Sequence, residues 1–399
     1  MSRTSTSQRT QLSLIAFVQV LAMSLWFSAS AVMPSLREEL DLDTGSATLL
    51  STALQLGFVA GALGSAFLNL ADRVRPQILM GVSALAGGGL TCVLALGNHD
   101  VTLAITLRFL TGVSLAGVYP VGMKLMTTWY SAGRGLALGV LIAALTLGSS
   151  LPQLLVTIPD QSWRSVLLSA AALAALAGAV ALRFVKPGKY VASTPPFAPR
   201  YALEMFRNKT QASINFGYLG HMWELYAFWT WLPVYIAASG VVGENPAIDS
   251  PRVALLAFLT IGVAGVVGCI LAGYLGRRLG PVRVARTALA ISGCCAALSW
   301  LITFAPAYLT VVILLVWGAS VIADSGQFSA ALSDNTDPAY IGTALTTQTA
   351  IGFALTAVTV QGMPYFAELV GWRAAFMVLC LGPALGLLAL RNTKDTVRR

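Results

Sequence analysis

Five ionisable side chains stand inside long apolar runs: Arg108, Lys124, His221, Glu224 and Asp324. A charge at the centre of a bilayer costs at least about 2.5–3.5 kcal/mol on insertion scales, so each needs a partner, a water-filled cavity or a task. His221 and Glu224 are three residues apart, which puts them on one helix face within reach of a shared proton. A carboxylate in a low-dielectric site favours its neutral form and a nearby cation reverses that preference, so alternating contact with a cation makes a proton switch. Glu224 is the first choice for such coupling and Asp324 the second, with His221 as a proton partner. At a rise of about 1.5 Å per residue, Arg108 lies about 8 Å to one side of Glu224 along the membrane normal and Asp324 about 9 Å to the other. The three would then form a ladder along one pathway. A fixed interhelical ion pair between Arg108 and either acid is the competing reading. Lys124, near the end of its run, reads as a side chain that snorkels to the interface.

Neutral groups accompany these charges. Trp26, in the first apolar run, and Tyr119, Trp223 and Tyr226, in runs that carry these charges, are with Arg108 the aromatic and cationic groups that would hold a solute. Trp229 and Trp231 sit nearer the outer interface, where an aromatic belt is expected. Gln327 and Gln348, together with Gln55, Gln153 and Thr347, offer hydrogen bonds to a polar solute or, equally, glue between helices. The glycine series 57/61/64 and 262/265/268 fits close helix packing. Cys92, Cys269, Cys294, Cys295 and Cys380 all fall in apolar stretches without metal or redox spacing, and His99 and His221 are far apart. No HExxH or nucleophile motif is present, so neither an enzyme nor a cofactor or metal is expected.

The elements that must position these groups follow from composition. Hydrophobic residues make up 56% of the 399 and charged residues 10%, against about 25% charged in an ordinary soluble domain. A hydrocarbon core about 30 Å thick needs about 20 apolar residues per helix. Such runs occur near 12–32, 48–70, 77–97, 101–125, 134–157, 163–185, 212–238, 253–275, 284–304, 306–330, 342–366 and 372–391. The first is long enough to span and lacks a small-residue cleavage site, so it reads as span 1 rather than a signal peptide. The Pro-, Lys- and Arg-rich segment 186–211 is the one linker long enough to join two bundles. The expected architecture is an all-α membrane protein of twelve spans, with one six-helix bundle over 1–185 and another over 212–399.

Charge placement orients the chain. Of the 25 Lys and Arg residues, 19 lie at the termini and in the loops after the even-numbered spans; only Arg37, Arg164, Arg252 and Arg373 lie in the other loops. This positive-inside asymmetry places both termini in the cytoplasm of a cell (inner) membrane, and it accounts for the net charge of +9 without a nucleic-acid partner. The Asn208-Lys-Thr210 sequon then faces the cytoplasm. Three pairs of segments repeat in order at offsets of 205 to 209 residues: 162–164 with 371–373, 69–76 with 274–281, and 135–138 with 342–345. Duplicated halves related by an axis along the membrane normal are a transporter arrangement.

With these residues in view, the whole chain resembles the major facilitator superfamily. Leu70, Ala71, Asp72 and Arg73 are similar to the family's signature loop, with departures at Leu68, Arg75 and Pro76. A second copy keeps Gly273 and Gly280 but has Arg277 in place of the aspartate. Arg108 and Gly112 match the fourth-helix pattern of that family. The resemblance implies a monomer in which spans 1, 4, 7 and 10 line a central cavity, and a gating loop carried by Asp72, Arg73, Arg277 and Arg278. Asp72 would favour the outward-open state by contact with a neighbouring helix N-terminus, where a carboxylate gains about 0.3–1 kcal/mol. The stretches 220–226, 324–328 and 119–124 are similar to bacterial nitrate/nitrite and cyanate porters, although the arginines expected in spans 2 and 8 of nitrate porters are missing. The expected function is proton-coupled uptake of a small polar, anionic solute by alternating access. Proton-coupled efflux of drugs or metabolites is the alternative: Gly139, Gly148 and Pro152 match part of the antiporter motif in span 5, but Ser149–Gln153 lacks its ending.

Overall fold

The computed structural model describes residues 2–97, 100–130, 134–159, 161–190, 198–244, 246–393 and 395, without the side chains of 2–6, 71, 72, 134–136 and 138. Helices account for the spans, and no strand occurs among the described residues. Among the described residues, nine helical runs are long and apolar enough to cross a membrane by themselves. The other three are span 1, interrupted after Met23; span 7, which carries Asn215, His221 and Glu224 in one 31-residue helix; and span 9, whose main helix stops at Ala297.

Helix starts follow local chemistry. Side chains of Asp43, Asp100, Ser162 and Asn208 accept backbone N–H groups at the openings of spans 2, 4, 6 and 7, satisfying donors that have no intrahelical partner. Asn208, the sequon asparagine, is thus a helix cap. Proline opens spans 3, 8 and 9 at Pro76, Pro251 and Pro281, where the missing N–H costs nothing.

The two halves pack alike. In the first, spans 3 and 6, 2 and 4, 1 and 6, and 1 and 5 lie side by side; in the second, 9 and 12, 8 and 10, 7 and 12, and 7 and 11 do so. Spans 2 and 11 and spans 5 and 8 join the halves, each pair being the image of the other under exchange of the bundles. Glycine sets the tightest approaches. A Cβ at Gly112 would fall 1.9 Å from the carbonyl oxygen of Leu54, and one at Gly318 would fall 2.0 Å from that of Thr260. These two glycines, 206 positions apart, bring span 4 against span 2 and span 10 against span 8 with no room for any side chain.

Hydropathy does not reveal that several spans are broken. Span 1 runs as Ser2–Met23 and Ser28–Ala31, with turns between, and a short helix, Met33–Glu39, follows it. Span 4 divides into Val101–Leu115 and Tyr119–Trp129, and span 10 into Ala307–Ala323 and Ser325–Asp334. The breaks in spans 4 and 10 stand at matching places of the two repeats. Span 8 contains a π-helical stretch, Leu259–Ala264, a form that recurs at functional sites. The five cysteines are free thiols.

Candidate functional site

The break in span 10 falls on an acid. Asp324 separates the two helical halves, and its carboxylate Oδ1 lies 2.7 Å from Nδ1 of His221 on span 7. Both side chains are 1% exposed. Among the described residues no other group donates to Asp324 Oδ2, and His221 Nε2 has no partner. Tyr218 and Phe328 pack beside the imidazole, with ring centroids 5.7 and 6.0 Å away. Two titratable groups therefore share one buried contact, with polar atoms to spare on each side. Burying such atoms unpaired costs about 1–3 kcal/mol apiece, a cost that a transported proton or a bound solute would relieve.

Beside this pair opens a cavity of about 160 Å³ between spans 5, 8 and 10. Ala323 and Gly326 flank Asp324 on its wall, and Gly139, Cys269, Arg277 and Gln327 are among its other lining residues. It lies toward the side of the membrane that carries the termini. Gln327 donates to the carbonyl of Ala272, so its amide is held at the wall. Arg277 and Arg278 are exposed at the same end, Arg278 with its guanidinium 4.5 Å from the Tyr274 ring.

Toward the opposite side the bundles meet. Trp26 of span 1, Phe58 of span 2, Tyr226 of span 7 and Phe353 of span 11 form one ring cluster, with centroid separations from 4.8 to 5.6 Å. Beyond it, Thr356 Oγ1 donates to Gln55 Oε1 at 3.0 Å and Gln361 Nε2 to Thr52 Oγ1 at 2.8 Å. Ser35 Oγ lies 3.4 Å from Asp249 Oδ2 at the outermost level. The bundles are thus in contact on the far side, and the pocket beside Asp324 lies on the termini side.

The sequence-derived residues separate into groups. His221 and Asp324 are brought together, as are Trp26 and Tyr226. Glu224 points elsewhere, into the second bundle: Ser292 Oγ of span 9 donates to its Oε2 at 2.8 Å and Trp317 Nε1 of span 10 to its Oε1 at 2.7 Å. It makes no contact with His221, because a helix face three residues wide still allows the two side chains to diverge. Arg108 meets no acid among the described residues. Its guanidinium donates to the carbonyls of Leu25 (3.1 Å) and Trp26 (2.8 Å) and to Ser28 Oγ (3.3 Å), all at the break in span 1. The carbonyls freed by that break are what a buried cation satisfies here, so the ladder of Arg108, Glu224 and Asp324 is not formed.

Trp223 faces span 12, donating to the carbonyl of Val378 and lying over Gly382. Gln348 donates to Asn215 Oδ1 between spans 11 and 7. Tyr119 is half-buried at the restart of span 4. Trp229, expected in an interfacial belt, is instead 1% exposed and packs on Phe27 and Tyr226; a ring that bulky on the inward face gains more from packing than from the interface. Arg73 is exposed, and the side chain of Asp72 lies outside the described residues, as do those of Gly135, Leu136 and Leu138 in the third repeat pair. Ser292 and Trp317 escaped the sequence reading. Trp317 carried a signal: an indole in mid-span, away from both interfaces, has an N–H that must find an acceptor.

Three comparisons bear on this arrangement. The sequence model of the Major Facilitator Superfamily matches residues 15–360. A probable sulfoacetate transporter of Cupriavidus necator is 26% identical over 72% of this chain and 70% of its own length. A probable L-galactonate transporter of Escherichia coli is 23% identical over 57% of this chain and 54% of its own. The fold matches that of a proton:xylose symporter solved with 6-bromo-6-deoxy-D-glucose, at a TM-score of 0.72 and 12% identity, over 98% of this chain and 97% of that one.

Proposed function

The chain belongs to the Major Facilitator Superfamily, and from that premise we propose that it takes up a small organic anion together with protons. Membership makes it a multi-pass secondary transporter of small solutes and not an enzyme. The observation that carries the coupling is the buried His221–Asp324 contact at the break in span 10. A proton held between an imidazole and a carboxylate is released when the two separate, and a broken helix gives Asp324 the freedom to move that a continuous one denies. Proton entry with an anion also offsets the charge carried inward. Glu224, bound at both oxygens, holds span 7 to spans 9 and 10 and positions His221 rather than carrying the proton itself.

Support for an anionic solute comes from the two relatives, one assigned sulfoacetate and the other L-galactonate. Trp26 and Tyr226, in the ring cluster between the bundles, form the floor against which such a solute binds when the far side opens. Arg108 behind Trp26 supplies positive charge. Bundles 1–185 and 212–399 rock about this centre as monomer halves, tethered by 186–211, with Asp72, Arg73, Arg277 and Arg278 at the termini-side gate. The charge asymmetry supports a cell (inner) membrane location with cytoplasmic termini.

The test is proton movement into proteoliposomes containing a pH-sensitive dye. Sulfoacetate, L-galactonate, other small carboxylates and sulfonates, neutral sugars and lipophilic cations are each added from outside. An organic anion is expected to drive inward proton flux that Asp324→Asn abolishes while solute exchange persists. Flux driven only by neutral or cationic solutes, or an undiminished signal in Asp324→Asn, rejects the proposal.

A further inference from the structure

A groove of about 1120 Å³ on the outer flank of the second bundle lies apart from the transport pathway. Arg278, Arg283 and Arg286 stand at its termini-side end, and Ala290, Cys294 and Leu298 continue it along span 9. Positions 283, 286, 290, 294 and 298 recur every three or four residues and so form one stripe down the helix. From Arg286 to Leu298 the stripe rises about 18 Å, close to the depth of one leaflet, which is half of a core about 30 Å thick. The stripe is thus cationic at headgroup level and apolar for one acyl chain's depth.

Its charge is available. Arg283 and Arg286 are exposed, and among the described residues neither is in an ion pair. Asp395 is the one carboxylate in the lining, and its oxygens accept the backbone N–H groups of Val282 at 2.7 Å and Arg283 at 3.2 Å. Topology alone does not require arginines here. Span 3 is the repeat of span 9, with Pro76 matching Pro281, and it carries Ile78, Gly81 and Val82 where span 9 carries Arg283, Arg286 and Thr287. We propose that this groove binds an anionic phospholipid of the termini-side leaflet. The phosphate sits on Arg283 and Arg286, and one acyl chain lies along Ala290, Cys294 and Leu298.

The full-length protein, purified in detergent, is titrated with phosphatidylglycerol, phosphatidylcholine or glycerol phosphate and followed by thermal melting and native mass spectrometry. Phosphatidylglycerol is expected to remain as an adduct and to raise the melting temperature, while the zwitterionic lipid and the chainless headgroup do neither. Replacing both Arg283→Gln and Arg286→Gln weakens the apparent affinity on the order of tenfold to thirtyfold, as loss of two surface cations requires. Cys294→Trp, which fills the apolar part and spares the arginines, also removes the adduct. Unchanged affinity in the double arginine variant, equal stabilisation by phosphatidylcholine, a full effect from glycerol phosphate, or an adduct surviving Cys294→Trp each overturns the site.

Discussion

The two bundles share a packing scheme and put their buried charges to opposite use. In the first, the charge is Arg108 on span 4, whose Nη1 and Nη2 donate to the backbone of the broken span 1 while its Nε has no partner among the described residues. In the second, the breaks and the charges coincide: Asp324 is itself the break in span 10, and its partner His221 retains an unsatisfied nitrogen. The matching break in span 4, Ala116 to Val118, is neutral. On the proposed coupling, a duplicated fold places one polar group where it stabilises a fixed backbone and another where it gains and loses a proton, so that the first bundle serves as the scaffold and the second holds the moving part.

The largest expected effect comes from Asp324→Asn. The variant keeps the volume of the side chain and removes its capacity to bind a proton, so anion accumulation driven by a proton gradient disappears, while exchange of internal for external solute and the melting temperature change little. A collapse of the melting temperature instead would make the pair a structural bridge and remove the contrast between the bundles. Arg108→Leu comes next and should behave in the reverse way. The buried carbonyl of Trp26 loses its donor, at about 1–3 kcal/mol, while that of Leu25 keeps Ser28 Oγ, so the protein melts a few degrees lower in detergent. The pH profile of whatever transport survives stays that of the wild type. A shifted pH profile with unchanged stability would place Arg108 in the coupling machinery.

Twelve spans in two repeats were legible because hydropathy, linker composition and loop charge all report on burial and topology, and each acts residue by residue. The breaks were not. Whether a helix interrupts at Ser24 to Phe27 or at Asp324 depends on which neighbouring group receives the freed carbonyls, and a backbone acceptor leaves no mark in the sequence. The same holds for Arg108: a search for acidic partners could not find Leu25 and Trp26, whose contribution is their main chain. His221, Glu224 and Asp324 were all visible as costly residues in apolar runs. Their pairing was not visible, because the rotation of span 7 against span 10 is set by contacts such as Trp317 with Phe228, 4.5 Å between centroids. Gly112 and Gly318 were in place to be read; the 206-residue spacing they share is that of the repeat.

Glu224→Gln has a smaller effect than either substitution above and bears on how the second bundle divides its work. Trp317 Nε1 can only donate, whereas Ser292 Oγ both donates and accepts. A glutamine can turn its carbonyl oxygen to Trp317 and its amide to Ser292, so the loss is about 1 kcal/mol, the worth of a weakened hydrogen bond. Proton-coupled transport should persist with an unaltered pH profile. Its disappearance in a folded Glu224→Gln protein would move the proton from the His221–Asp324 pair to Glu224.

The smallest expected effect sharpens the comparison at the far surface, where both repeats use a Trp-Arg pair. Arg373 donates to the carbonyl of Ala238 at the end of span 7. Arg164 and Trp163 instead bind Glu39, after span 1, at 2.8 and 2.5 Å. The first latch therefore titrates and the second does not. Hydrogen bonds from Arg164 and Trp163 hold the Glu39 carboxyl below its ordinary range. A depressed folded-state value means that the stabilisation is fully present above the unfolded carboxylate range, near pH 4.3, and is lost as pH falls through the folded value. Melting curves of wild type and Glu39→Gln should accordingly differ slightly at neutral pH and converge below about pH 4, with salt reducing the difference because the pair is exposed. Arg373→Gln should lower the melting temperature by an amount that is the same at both pH values. A pH-dependent change in Arg373→Gln, or a pH-independent one in Glu39→Gln, would mean that the two latches do not differ in this way.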